Sequence, residues 1–172
     1  MKRSTLSSLC AVAAAGILLI PLPAGAETDA EVDAHRAALD LAGAFTNDGF
    51  KLRDGDFTGT LKPGESALVQ VNLYAGNQYW FAVSTSDGTA TLALNVYDEA
   101  GKLVKTDVFT SQAQTSGTTA AKAAPPATTD PDATATNRAA AGFAPDTSGP
   151  YYVKIANHAS APATYCLIYS YK

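Results

Sequence analysis

Val69-Gln70-Val71-Asn72-Leu73 and Tyr79-Trp80-Phe81-Ala82-Val83-Ser84 are runs in which an apolar side chain returns at every second position. A period of two places alternate side chains on opposite faces of an extended chain. The pattern recurs at Leu92, Leu94 and Val96, then at Tyr151, Val153 and Ile155, and last at Tyr165, Leu167, Tyr169 and Tyr171. Turn residues separate the runs: Pro63-Gly64, Ala75-Gly76-Asn77, Asp87-Gly88 and Glu99-Ala100-Gly101. Short alternating strands with turns every ten or so residues predict an antiparallel sandwich or barrel.

Upstream of these strands the period changes. Residues 29 to 45 read as a helix, with Asp29 as the candidate cap and the acids Glu31 and Asp33 in the first turn, where the helix dipole favours them. Val32, Leu39, Ala42 and Phe45 form the expected apolar stripe, and Asn47-Asp48-Gly49 the stop. Before the helix, Lys2 and Arg3 precede an apolar run from Leu9 to Ile20, and Ala24-Gly25-Ala26 follows. That order is the pattern of a secretory signal peptide covering 1–26. The run is about a dozen residues, whereas a spanning helix needs roughly 20. Export to the periplasm or the extracellular medium is therefore expected, with no membrane association after cleavage. Cys10 stands at the start of the apolar run rather than after it, which argues against lipidation.

The remaining sequence divides into a helix and linker at 27–50 and a sandwich at 51–172, interrupted by an Ala/Thr/Pro-rich loop at 111–137. That stretch holds almost no large apolar residue, and its composition predicts a mobile insertion. The chain has 12 basic and 16 acidic residues; without Lys2 and Arg3 the balance is −6. An acidic domain with no basic cluster repels phosphate backbones, so nucleic acid is not an expected partner. Cys166 is the one cysteine beyond Cys10. A core must therefore hold the domain without an internal disulfide, and a buried position is expected for the thiol.

The order of core and turn residues resembles a known family. Phe57-Thr58-Gly59-Thr60-Leu61 precedes Pro63-Gly64 and a Val-x-Val-x-Leu strand. Ala75-Gly76 leads into Tyr79-x-Phe81-x-Val83, and Leu92-x-Leu94-x-Val96-Tyr97-Asp98 into Gly101-x-Leu103-Val104. Phe143-x-Pro145 precedes Ser148-Gly149-Pro150-Tyr151-Tyr152-Val153-Lys154-Ile155, and Tyr165-x-Leu167 closes the pattern. From about Asp56 to Lys172 this resembles the bacterial pre-peptidase C-terminal (PPC-like) domain. The resemblance implies an all-β, antiparallel jelly-roll-like β-sandwich of about eight strands, here with one N-terminal helix. It also implies an accessory role, since such domains accompany secreted hydrolases, and some members are associated with polymeric substrate or calcium. The helix at 29–45 and the loop at 111–137 fall outside the family pattern.

No catalytic constellation stands out. His35 and His158 are the two histidines, and Gly-x-Ser-x-Gly, His-Glu-x-x-His and a Gly-rich phosphate loop are absent from the sequence. Asp54-Gly55-Asp56 has the Asp-x-Asp spacing of a calcium loop, with Asp48 near in sequence, but a site needs about six oxygen ligands and the twelve-residue EF-hand pattern does not follow. A turn built by Asp and Gly explains the same residues. Aromatics offer a binding surface. With Tyr79, Phe81 and Val83 facing the core, Trp80 faces outward, and by the same parity Tyr74, Tyr97 and Tyr152 do too. Outward aromatics stack on sugars or pack against a partner. Cys166 and Ile168 share that parity, so the helix stripe is expected to cover one such face. The function expected is an exported, non-catalytic binding module for a polysaccharide or another envelope or secreted protein. The alternatives are a structural or stress-related envelope domain and, third, a hydrolase-associated protein.

Overall fold

A computed structural model describes residues 27–110 and 137–172. The segment read as a signal peptide lies outside these residues, as does the stretch 111–136. Among the described residues there are one helix and nine strands: α1 (Asp29–Thr46), β1 (Lys51–Leu52), β2 (Phe57–Leu61), β3 (Ser66–Leu73), β4 (Tyr79–Thr85), β5 (Leu92–Tyr97), β6 (Asp107–Thr110), β7 (Arg138–Phe143), β8 (Gly149–Asn157) and β9 (Ala163–Tyr171). The strands form two antiparallel sheets. One runs β1-β9-β4-β7-β6, with β2 also pairing β9, and the other runs β3-β8-β5. The fold is thus an all-β sandwich with one added helix.

The period of two explains the inner layer. Tyr79, Phe81 and Val83 from β4, and Tyr165, Leu167 and Tyr169 from β9, meet Val71, Leu73, Val96, Val153 and Ile155 of the other sheet in one core. Asn157 ties the end of β8 to its surroundings. Its amide nitrogen donates to the carbonyls of Leu61 (3.0 Å) and Ala161 (2.9 Å), and its Oδ1 accepts from the Ala159 N–H (2.9 Å). A buried amide with its donors and acceptor paired in this way avoids the cost of an orphaned polar group.

The opposite face of the larger sheet is also apolar, and α1 covers it. Ala34, Ala38, Leu41, Ala42 and Phe45 pack with Phe50, Ala82, Ala140, Cys166 and Ile168 in a second cluster. Ser84 Oγ donates to the Ala34 carbonyl at 2.9 Å, fixing the helix on the sheet. Phe45 stacks on Trp80 with ring centroids 4.3 Å apart and 9° between the planes.

Two expectations for the helix change at this level. The stripe is not Val32, Leu39, Ala42 and Phe45, because Val32 and Leu39 are 39% and 40% exposed. The buried set is Ala34, Ala37, Ala38, Leu41, Ala42 and Phe45; alanines let the helix backbone lie close to a sheet face that supplies its own bulk. The helix cap is Thr28 rather than Asp29. Its side chain accepts from the Glu31 N–H, while the Glu31 carboxylate accepts from the Thr28 N–H, a reciprocal capping box. β1, β6 and β7 extend the sheet beyond the alternating runs. Leu103 contributes only an isolated bridge to Tyr97.

Candidate functional site

With α1 on one outer face, the outer face of β3-β8-β5 is the one that α1 leaves uncovered. Its composition follows from the ladder. Val69 pairs Val153 and Val153 pairs Val96, and these point into the core. The alternate row Gln70, Tyr152, Tyr97 therefore points out, followed by Leu68, Lys154, Asn95. Tyr97 and Tyr152 are direct cross-strand partners. Leu68, Tyr97, Glu99, Gly101, Tyr152 and Lys154 line a shallow groove of about 470 Å³.

The rim of the groove is built locally. Gly101 has φ +76° and ends the turn after β5, where its N–H donates to the Asp98 carbonyl at 2.9 Å. Asp98 Oδ1 accepts from the Lys102 N–H at 2.8 Å. Leu68 is 62% exposed, an unusual exposure for a large apolar side chain in the middle of a strand. The ammonium of Lys154 has no ion-pair partner among the described residues. Two tyrosyl rings, an exposed leucine, amides and one ammonium can stack against a ligand and hydrogen-bond its edges.

The four aromatic candidates separate. Tyr97 and Tyr152 come together. Tyr74 has the same parity as Leu68 and Gln70 and is 57% exposed, but it stands just past β3 and outside the groove. Its N–H donates to Tyr79 Oη at 2.9 Å, so it serves the turn into β4. Trp80 belongs to the other sheet and lies half-buried beneath Phe45, which removes it from any open ligand face.

Asp54 and Asp56 share the short connection between β1 and β2, and Asp56 turns to the thiol: Cys166 Sγ donates to its Oδ2 at 3.8 Å. Among the described residues no three His, Cys, Asp or Glu side chains are grouped to hold a metal ion. The histidines lie on different layers, His35 on α1 and His158 just after β8.

A feature the sequence reading missed is a cleft of about 550 Å³ at one end of the sandwich, with Asp98, Asp107, Asp146, Lys105, Thr147 and Tyr151 on its wall, three carboxylates against one ammonium. Tyr151 Oη donates to the Thr147 carbonyl at 3.0 Å and so stiffens the loop before β8. Its acids come from three separate turns and strand ends, and no spacing in the sequence links them. Compared with known proteins, the chain matches no family model and no curated relative.

Proposed function

We propose that this protein is an exported, non-catalytic binding module that holds a neutral polysaccharide chain against Tyr97 and Tyr152. The observation that carries this reading is the direct pairing of the two tyrosines on a sheet face that the helix leaves uncovered. A shallow groove of this shape suits an extended polymer rather than an enclosed small molecule. Gln70, Asn95 and Lys154 flank the rings and supply hydrogen-bonding groups for hydroxyls. The acidic balance of −6 opposes strongly anionic polymers. Export rests on the pattern of residues 1–26, and kinship to PPC-like domains on the run order from Asp56 to Lys172. A structural envelope role is the second reading, favoured by α1 sealing the one face that holds Trp80.

Co-sedimentation with insoluble cellulose, chitin and cell-wall sacculi tests the proposal. Retention on cellulose or chitin is expected, and retention on sacculi alone would contradict a neutral ligand. Tyr97→Ala and Tyr152→Ala should each weaken it about five- to tenfold, as for loss of roughly 1 kcal/mol of stacking. No retention on any of them, or retention indifferent to both substitutions, would favour the structural role.

A further inference from the structure

We propose that β3 is the contact through which two copies of this chain pair, edge to edge, about a two-fold axis at Val69. β3 is an edge strand of its sheet. The other edge, β5, is partly covered by the chain that follows it: the Val104 N–H donates to the Val96 carbonyl at 2.9 Å, and Leu103 bridges Tyr97. β6, an edge of the larger sheet, is four residues long and opens with Asp107. β3 is eight residues long and contains no charge, proline or glycine. Edges are usually protected by one of these devices or by shortness, and an uncharged long edge is a template for another strand.

The ladder to β8 shows which main-chain groups of β3 lack a strand partner among the described residues. Asn72 faces Pro150, which has no N–H to give. The Asn157 N–H donates to the Glu65 carbonyl. Both facts put the bonded pairs at the odd positions of β3, so Ser66, Leu68, Gln70 and Asn72 present their N–H and C=O groups to the open edge. A second β3, antiparallel about Val69, places Leu68 opposite Gln70 and Ser66 opposite Asn72. About eight main-chain hydrogen bonds would form.

A second copy fits this edge better than an arbitrary strand. About this axis no like charges meet, and Glu65 falls opposite Leu73. On the inner face Val69 meets Val69 and Ala67 meets Val71. Ala67 and Val69 are only partly buried at the margin of the core, and Phe57 on neighbouring β2 is 37% exposed. Pairing closes that margin and makes one six-stranded sheet from two three-stranded ones. This inference does not depend on the polysaccharide reading, since it is read from mass rather than from ligand binding.

Sedimentation equilibrium of the purified protein should show a dimer at about 100 μM. L68E/Q70E sets carboxylates opposite each other and should weaken dimerisation about a hundredfold. L68E/Q70K sets opposite charges there and should restore it. Both variants keep Glu at position 68 beside Lys154, which favours the folded monomer. Under mild oxidation V69C should give a covalent dimer, because a residue on the axis faces its own copy at disulfide range. V71C, which faces Ala67, should not. A monomer at 100 μM, a dimer indifferent to L68E/Q70E, or V71C cross-linking as well as V69C would overturn the proposal.

Discussion

Cys166 is fully buried between β9 and α1. Burial, followed by the neighbouring Asp56 carboxylate, pushes its thiol up from an ordinary 9 to about 12. A covered thiol that stays protonated is a poor nucleophile, so the native protein should not react with a thiol reagent near pH 8. The raised value also has a sign for stability. The folded state holds the proton more tightly, so this contribution is complete below about pH 9 and declines as pH rises toward 12. Cys166→Ala should cost about 1 kcal/mol at neutral pH through lost packing. It should also flatten the fall of the denaturation midpoint between about pH 9 and pH 11. A second residue-scale constraint is the pair Trp80 and Gly142. A Cβ at Gly142 would sit 2.9 Å from Trp80 Cζ2. Gly142→Ala should therefore destabilise by about 1–3 kcal/mol in urea unfolding. In a Trp80→Leu background the same change should cost less, and the double-mutant cycle measures the clash directly.

At the scale of elements, α1 is held by its alanine face and by Phe45 on Trp80. Deleting residues 27–46 should lower stability by several kcal/mol, at about 25 cal/mol per Å² of apolar surface uncovered. It should also make Cys166 react with a thiol reagent without denaturant. An unchanged melting temperature with a protected thiol would mean that the helix does not hold this face. The need for a cover was legible: Trp80, Ala82, Cys166 and Ile168 share one parity and read too apolar for water. The side of the helix that provides it was not, because Val32 and Leu39 carry more apolar weight in a sequence than Ala34 and Ala38. Close approach of a helix backbone favours the small residues. β7 was hidden for a related reason. Ala139-Ala140-Ala141 shows no alternation, since both of its faces are buried, one in the core and one under α1.

At the scale of the molecule, two outer faces have opposite fates. Strand parity marks Trp80, Tyr97 and Tyr152 alike as outward, but it does not say which sheet each strand joins. Sheet membership decides the matter: β4 lies in the helix-covered sheet, while β5 and β8 lie side by side in the other. The acidic cleft was invisible for the same reason, being assembled from separate turns by the folded topology. The central claim is that the uncovered face, and not the helix-covered face or the cleft, meets the ligand. The most direct measurement is an NMR titration of the labelled protein with soluble oligosaccharides of whichever polymer retains it. The account expects the shift changes to centre on Tyr97, Tyr152, Gln70 and Lys154, with Trp80 and Phe45 unmoved. Changes centred on Trp80 and α1, or on Asp107 and Asp146, would contradict it.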